Sequence, residues 1–377
     1  MSTPDGRRTF LDAGGRAPLH PAGVAALRAA EADGWADPRR LHAEGRRARL
    51  LLEQAREAIA ASLGCRTQEV HLSGSHTASL HAAVAAVLRG RRRVGPTVVA
   101  SAVERTALLV AARHGGELVT VPVDRSGRVR LGSWATGVGA DGVALAALQH
   151  ANGEVGTVQP VAQAHEATCA AGVPLLVDAG ASAGHVPLPD TWDLLAADPA
   201  DWGAPAGAAV LCVRRGVRTA PAWPEDEDAW FPGGVGVPAA LAAAVTLQHV
   251  LEDMADADRR RRRLRDMLRA RVAAEVPDVD VAGGADDTLP HVLTFSCLYV
   301  DGEALLTELD RRGFAVGSGS ACTSRTDRPS HVLAAMGVLT HGNVRVALPR
   351  ETTRDDVERF CDVLPDAVAT VRRMSGV

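Results

Sequence analysis

Cys322 has the surroundings of a reactive thiol. It lies in the segment GSGSACTSRTDRPS, residues 317–330, where small and polar residues surround a single cysteine. Glycines let a backbone adopt many conformations, and small neighbours leave a sulfur atom accessible. Arg325, Arg328 or the start of a following helix would lower the pKa of this thiol and favour the nucleophilic thiolate. The segment therefore predicts a nucleophilic cysteine on an open loop.

The other cysteines show no such pattern. The chain has six cysteines, and no two of them form a Cys-x-x-Cys pair, so neither a zinc knuckle nor a disulfide framework is indicated. Cys169, Cys212 and Cys297 lie in apolar runs, which predicts thiols buried in the core. Cys322 is therefore the cysteine to which chemistry is assigned.

One residue type is missing altogether. The chain contains no lysine, so all 41 basic residues counted as lysine plus arginine are arginines. A guanidinium stays protonated and cannot replace a primary amine in imine formation. The side chains of this sequence therefore cannot form a lysine Schiff base.

The charge and the hydropathy of the sequence limit the kinds of partner that we expect. The 377 residues carry a net charge of −4, which gives no general basic field for nucleic acid. No apolar run approaches the roughly 20 residues that span a bilayer. The first residues, MSTPDGRRTF, lack the layout of a signal peptide. We therefore expect no nucleic-acid or membrane partner, and a cytoplasmic location.

The elements that must position Cys322 begin with an alternation of apolar strands and amphipathic helices. Nearly continuous apolar strands between helices are typical of a mainly parallel sheet that is covered on both faces. The predicted strands are residues 69–73, 97–103, 117–123, 143–150, 173–180 and 207–215, with helices after the first two and at 161–172. This pattern predicts an α/β fold.

The second half of the sequence has a different pattern. A helical stretch runs from about Pro238 to Val276, and its run Arg259–Arg263 is expected to be a solvated face or, alternatively, a surface for an acidic partner. A strand at 291–300, a helix, the Cys322 loop, a strand at 343–349 and a last helix follow. We predict a large α/β domain over residues 16–250. A smaller α+β domain is predicted from residues 1–15 and 251–377, with the loop 317–330.

Motifs along nearly the whole chain resemble one family. The loop 317–330 resembles the catalytic-cysteine loop of cysteine desulfurases, which have the class V aminotransferase fold. The resemblance extends to the segments LDAGGRAPLHP (11–21), LSGSHTASLHAAV (72–84), QHANGEVGTVQP (149–160), VPLLVDAGASAG (173–184) and NVRVALPRETT (343–353). The expected fold is thus the pyridoxal-phosphate-transferase type, a large mainly parallel sheet domain plus a smaller α+β domain.

The resemblance implies specific roles. In the family, a lysine holds pyridoxal phosphate as a Schiff base and an aspartate pairs with the pyridinium nitrogen. Asp178 stands where that aspartate belongs, and Cys322 at the nucleophile that becomes a persulfide. Arg345 stands where the family binds the substrate carboxylate, and Asn152 is assigned to substrate binding. His150 and Glu154 also follow the family pattern.

The cofactor site departs from the pattern at several positions together. Asp201 stands at the position of the Schiff-base lysine, within DPADW, and Asp198 and Ala200 replace its serine and histidine neighbours. Arg105 corresponds to the ring-stacking histidine, and His76 to the threonine of the first phosphate turn. The remaining departures are Gly153, Ala181 and Gly234. The former cofactor pocket is expected to consist of His76, Arg105, His150, Asp178, Asp201 and Trp202.

These observations leave three functions open. The first is a desulfurase-like protein without a pyridoxal phosphate anchor that handles sulfur through a persulfide on Cys322. The second is a regulatory or scaffold subunit that pairs with an active desulfurase. The third is a desulfurase or lyase with non-covalently bound pyridoxal phosphate. No metal is predicted, and the expected partners are a second copy of the chain and a sulfur-acceptor protein.

Overall fold

A computed structural model describes residues 7–319 and 329–374. The strands of this part are β1 (Thr9–Phe10), β2 (Val70–Ser73), β3 (Thr97–Ser101), β4 (Glu117–Val121), β5 (Val143–Gln149), β6 (Leu175–Asp178), β7 (Leu194–Ala197), β8 (Ala209–Val213), β9 (Val279–Val281), β10 (Val292–Cys297), β11 (Phe314–Ala315) and β12 (Asn343–Ala347). The helices are α1 (Pro21–Asp33), α2 (Ala43–Leu63), α3 (His76–Gly90), α4 (Thr106–Gly115), α5 (Leu131–Val138), α6 (Val161–Ala170), α7 (Val237–Glu252), α8 (Met254–Glu275), α9 (Gly302–Arg311), α10 (His331–Met336) and α11 (Arg354–Met374).

A seven-stranded sheet in the order β2-β8-β7-β6-β5-β3-β4 forms the centre of the chain. Every pairing in the run from β4 to β7 is parallel, whereas β8 is antiparallel to both β7 and β2. Because β8 alone runs in the opposite direction, β2, β3, β5, β6 and β7 all end at the same edge. The segments that follow these strands therefore meet there, which is where open α/β sheets bind ligands.

The central strands are apolar because helices cover both faces of the sheet. All seven residues of β5 (VALAALQ) are buried, as expected for a parallel strand with no solvated face. One apolar core includes residues of α2 and α7, and a second core on the other face includes residues of α3 and α4. This confirms the predicted mainly parallel α/β fold.

A second, smaller assembly contains most of the C-terminal third. The sheet β12-β10-β9 is antiparallel, and α8, α9 and α11 contribute to its apolar core. Helix α9 shows the amphipathic pattern clearly, since Leu305 and Leu309 face the core and Asp301 caps its first turn. The short strand β1 pairs with β11, so the N-terminal residues join this assembly.

Two features differ from the sequence expectation. The stretch expected as one helix over 238–276 is two helices, because the chain breaks at Asp253 between α7 and α8. Within the arginine run, Arg259, Arg260 and Arg263 are exposed as expected, but Arg261 is 1% exposed and points into the protein. None of the helices in residues 7–319 and 329–374 is both long and apolar enough to span a bilayer.

Candidate functional site: a remodelled cofactor pocket

Asp178 is a buried carboxylate that contacts a histidine and an arginine at the end of β6. His76, the first residue of α3, places Nε2 2.8 Å from Asp178 Oδ1, and Arg105, just before α4, donates from Nε to Oδ2 at 3.1 Å. The backbone N–H of Gly180 also donates to Oδ1, at 2.8 Å. Burial alone would raise the pKa of Asp178, but His76 and Arg105 outweigh it and hold this pKa well below its usual range.

The same two side chains also lie against Gly180. A Cβ atom added at Gly180 would lie 2.7 Å from His76 Nε2 and 2.9 Å from Arg105 Nη2. A larger residue at position 180 would therefore have to displace the side chains of this cluster. Both oxygens of Asp178 already have donors, so the carboxylate is committed to an ion-pair cluster inside the protein.

Asp201 is buried where the chain follows β7. Its Oδ1 accepts a hydrogen bond from Gly15 N at 2.6 Å, and His185 Nε2 lies 3.1 Å from both Oδ2 and the main-chain oxygen of Asp201. The other ring nitrogen of His185 is 3.1 Å from Arg261 Nη1. Since a guanidinium only donates, His185 Nδ1 is the acceptor and Nε2 carries the proton. Burial lowers the pKa of Arg261 to about 10, which still leaves it charged.

The cluster of His185, Asp201 and His291 has metal-binding residue types but the wrong geometry. One ligand atom from each residue lies within 4.8 Å of the others. However, the two imidazole rings stack at 4.1 Å with an interplanar angle of 30°, so their in-plane lone pairs cannot converge on one ion. Arg261 also donates to His185, whereas a metal-binding histidine normally donates its second N–H. The geometry favours a hydrogen-bonded polar cluster.

Asp198 adds a further carboxylate to this region. Burial raises its pKa, although the nearby charges of His76 and Arg105 counteract that increase. Carboxylates at the ends of neighbouring strands disfavour a bound phosphate, because like charges repel strongly in a partly buried site.

The segment after β5 supplies structural contacts. Both polar atoms of the Asn152 side chain are used, since Nδ2 donates to Val103 O at 3.1 Å and Oδ1 accepts from the backbone of Glu154 and Val155. His150 Nδ1 contacts Ser182 Oγ at 3.0 Å, and burial lowers the pKa of His150 to about 4. Thus His150 is a neutral ring, and the substrate role of Asn152 stays a prediction.

Arg345 lies beside the base of the cysteine loop. Its backbone exchanges hydrogen bonds with Gly317, and its Nη2 donates to Asp12 Oδ1 at 2.9 Å and to Gly14 O at 3.2 Å. Its Nε is buried without a partner in the described part of the chain. Arg345 therefore joins the N-terminal segment to the loop while retaining one donor for a further ligand.

Both ends of the loop meet Glu154. Ser330 Oγ, which caps α10, donates to Glu154 Oε1 at 2.6 Å. At the other end, a Cβ atom on Gly319 would clash with the same carboxylate, and Gly319 N donates to Asn343 Oδ1 at 2.8 Å. Burial raises the pKa of Glu154 to about 7. Cys322 lies outside the described residues, between these two anchored ends.

The structure brings some of the sequence-predicted residues together and separates others. His76, Arg105 and Asp178 form one cluster, while Asp201 belongs to a second cluster that includes His185, His291 and Arg261. Trp202 is 2% exposed and donates to Ala243 O of α7 at 3.3 Å, so it packs in the core. Sequence reasoning missed the other three members of the second cluster. The sequence offers one signal for this second cluster, the run Arg259–Arg263, and that run predicts a solvated helix face.

Among the thiols, Cys169 was expected in the core but is exposed on α6. Its neighbours Ala170 and Ala171 made the run look apolar, whereas the helical turn places Cys169 on the outer face. Cys212 and Cys297 are buried as expected.

Comparison with solved structures defines the class of fold. A NifS-like protein superimposes with a TM-score of 0.88 over 96% of this chain and 100% of its own, at 22% identity. DndA from Streptomyces lividans gives a TM-score of 0.75 over 90% of this chain and 99% of its own, at 28% identity. These similarities establish the class V aminotransferase fold.

Sequence comparison gives the family. The aminotransferase class-V family model matches residues 9–360, so the chain belongs to that family. An IscS-like cysteine desulfurase of Mycobacterium tuberculosis is 33% identical over 97% of both chains. The cysteine desulfurase IscS of Dictyoglomus turgidum is 29% identical over 98% of this chain and 96% of its own.

The family implies pyridoxal phosphate, and the residues present do not fit its covalent form. A Schiff base needs a primary amine, and the sequence contains no lysine. Asp178, the carboxylate that the resemblance assigns to the ring nitrogen, is already bonded to His76 and Arg105. The side chains of this sequence therefore cannot hold the cofactor covalently.

Proposed function

We propose that this cysteine desulfurase-like chain acts in sulfur transfer by carrying sulfur as a persulfide on Cys322, without an anchored pyridoxal phosphate. The observation that supports this proposal is the pairing of Asp178 with His76 and Arg105, which converts the cofactor carboxylate into part of an internal ion cluster. The residues at both ends of the thiol loop retain specific contacts, as Glu154 and Arg345 show.

The chemistry requires no external oxidant. The Cys322 thiolate attacks the outer sulfur of a persulfide on a donor protein, and the sulfur–sulfur bond of the donor breaks. The donor cysteine leaves as a thiolate, and the sulfur atom is now bonded to Cys322. A thiol of an acceptor protein then attacks this outer sulfur in the same way. Each step exchanges one sulfur–sulfur bond for another, so there is no net oxidation.

The described residues support this role by positioning the loop. Glu154 contacts Ser330 at one end and lies against Gly319 at the other, so it fixes both ends at the edge of the pocket. Arg345 provides positive charge beside Gly317. A guanidinium near the loop would favour the thiolate form of a cysteine over its neutral thiol.

Labelled sulfur tests the proposal directly. An active cysteine desulfurase is loaded from isotopically labelled L-cysteine, mixed with the chain, and separated; persulfides are then alkylated and mapped by mass spectrometry. We expect label on Cys322 of the wild type and of Cys169→Ser, which removes an exposed thiol of the described residues. Cys322→Ser should carry none.

The alternative outcomes are distinct. Label that never reaches Cys322 contradicts the relay. If the unlabelled chain still forms a stable complex with the desulfurase, and Cys322→Ser changes nothing in that complex, the regulatory or scaffold function is supported instead.

We also propose that the chain forms a homodimer, as the family resemblance implies. The turn between α1 and α2 supports this, because Trp35 is 70% exposed and Leu41 is 80% exposed. Exposed apolar side chains that form one contiguous patch often mark a surface that a partner covers. Light scattering on the wild type and on Trp35→Ser tests this: a dimer that weakens in the variant is expected, and a monomeric wild type would contradict it.

A further inference from the structure

Cys65 and Cys212 form a thiol pair at the edge of the sheet opposite the remodelled pocket. Their Sγ atoms lie 3.7 Å apart. Cys65 follows the end of α2, where Gly64 has a φ of 66° and turns the chain toward β2. Cys212 lies on β8 opposite Val70, the first residue of β2. The pocket residue His76 follows the other end of β2, so this pair is a separate site.

The two thiols differ in exposure and in acidity. Cys212 is fully buried, whereas Cys65 is only half-buried. The hydrogen bond with Cys212 lowers the pKa of Cys65, and Arg214 acts in the same direction. The hydrogen bond with Cys65 and complete burial raise the pKa of Cys212 well above its usual value. A half-buried thiol of lowered pKa next to a buried thiol of raised pKa is the arrangement of an attacking and a resolving cysteine.

Arg66, the residue after Cys65, lines a cavity of about 420 Å³. Arg214 and Arg215 line it too, together with Trp230. Arg214 pairs with Glu69 at 3.2 Å and donates to Gly64 O at 3.3 Å, so it holds the turn that carries Cys65. Glu69 lines the cavity as well, so three arginines face one carboxylate, and the net positive charge of the lining attracts small anions.

We propose that Cys65 and Cys212 are a redox-active dithiol, which closes into a disulfide by exchange with a small anionic disulfide. The Cys65 thiolate attacks one sulfur of the small disulfide and forms a mixed disulfide, and one small thiolate leaves. Cys212 then loses its proton and attacks the Cys65 sulfur, and the second small thiolate leaves with that proton. The two protein thiols lose two electrons in total, and the small disulfide gains them.

The geometry suits this closure because the sulfurs are already in van der Waals contact. A disulfide requires a sulfur–sulfur distance of about 2 Å, so closure needs rotations about the side-chain bonds and a shift of the Cys65 turn. Cys297 and Cys361, the two other buried thiols of the described residues, differ from this pair. Burial raises the pKa of Cys297 and of Cys361 to about 11, which makes both unreactive at neutral pH.

Oxidised glutathione, a small anionic disulfide, is the probe for the test. The parent is the double variant Cys169→Ser and Cys322→Ser, which removes an exposed thiol and the loop thiol. After incubation at neutral pH we expect the intact mass to fall by two hydrogens, and peptide mapping to join the segments that contain Cys65 and Cys212. In the same background, Cys361→Ser should close equally well.

Single variants separate the two roles. Cys212→Ser should retain a stable glutathione adduct on Cys65, whereas Cys65→Ser should show neither an adduct nor closure. Oxidation should also raise the melting temperature of the parent, because the bond joins residues far apart in sequence, and a reductant should reverse the change. Closure that persists in Cys65→Ser, or a folded parent that keeps both thiols, would overturn the proposal.

The preference for an anion has its own test. Cystamine, a cationic disulfide, should react more slowly than oxidised glutathione at low salt, and the difference should shrink as salt screens the arginines. Equal rates at low salt would contradict a role for the arginine-lined cavity. These outcomes do not depend on Cys322, so they are independent of the persulfide proposal.

Discussion

At the scale of single residues, Asp178 separates what can be read from the sequence from what only the structure shows. It lies at the strand end that the resemblance assigns to a cofactor carboxylate, and its identity is readable from the sequence. Its hydrogen-bond partners cannot be read from the sequence, because His76 and Arg105 follow other strands and meet Asp178 only when the sheet forms.

Asp178→Asn should destabilise the protein at neutral pH. The amide removes the negative charge and leaves the Arg105 guanidinium without its counterion, at a cost of about 3 kcal/mol, the lower end for breaking a buried pair because Arg105 is partly exposed. The folded-state pKa of Asp178 is lowered, so its stabilisation is complete above the unfolded pKa and decreases as pH falls below about 4. Denaturant unfolding of both proteins from pH 7 to pH 3 measures this, and a gap that does not change with pH would contradict it.

Asp201→Lys places a lysine where the resemblance expects the Schiff-base lysine. It tests whether this one substitution restores covalent binding of pyridoxal phosphate. The substitution removes the acceptor of the hydrogen bond from Gly15 N and places an ammonium in the cluster that includes Arg261. We therefore expect the free energy of unfolding to fall by about 3–5 kcal/mol. With pyridoxal phosphate it should show no Schiff-base absorbance, because Asp178, the carboxylate that would meet the ring nitrogen, is already bonded to His76 and Arg105.

Asp201→Asn is the matched control, since its amide oxygen can still accept from Gly15 and its loss of stability should be smaller. A folded Asp201→Lys protein with the spectrum of an internal Schiff base would show that the ring site is intact and would remove the main support for the proposed function.

At the scale of elements, the sequence predicts the strands and helices that depend on the pattern of neighbouring residues. The buried runs of β3, β5 and β6 and the amphipathic helices between them follow directly from periodicity. Strand β7 was missed because its four residues, LLAA, carry neither alternation nor β-branched side chains. The antiparallel direction of β8 depends on pairing across the sheet, which no local pattern contains.

The same limit explains Arg261. A run of five arginines is most simply solvated, yet a helix turns successive residues by about 100°, so one arginine of five faces inward when the helix packs on the protein. Its burial depends on His185, a residue 76 positions away in sequence. The second cluster could therefore be seen only in three dimensions.

Helix α10 and the end of β11 lead to the loop, and Glu154 couples them. The pKa of Glu154 is raised to about 7, so the wild type should lose stability as pH rises from about 4.5 to 7, by at most about 3 kcal/mol. Glu154→Gln keeps the size of the side chain and has no charge to bury, so its stability relative to wild type should grow over that range.

Thermal unfolding of both proteins at pH 5 and pH 8 measures the effect. Glu303→Gln on the exposed side of α9 is the control, and it should follow the wild type at both pH values. A Glu154→Gln protein that tracks the wild type at pH 8 would show that the carboxylate at the loop base does not bear the cost of burial.

At the scale of the whole molecule, the absence of lysine becomes an experimental tool. The α-amine at the start of the chain is its sole primary amine, so reduction with borohydride can trap pyridoxal phosphate there and at no side chain. A ligand that binds the folded state alone stabilises it by RT ln(1 + [L]/Kd), about 2.7 kcal/mol at a hundredfold excess over Kd.

We therefore expect pyridoxal phosphate to leave the melting temperature of this chain unchanged, because Asp178 is already paired and Asp198 and Asp201 oppose a phosphate. A catalytically active cysteine desulfurase, stripped of its cofactor and titrated in parallel, should show a clear rise. A dose-dependent rise for this chain, with no adduct after borohydride, would establish non-covalent binding. Sulfide and alanine produced from L-cysteine under the same conditions would then replace the relay with direct catalysis, since the pocket rather than the loop alone would be acting on the substrate.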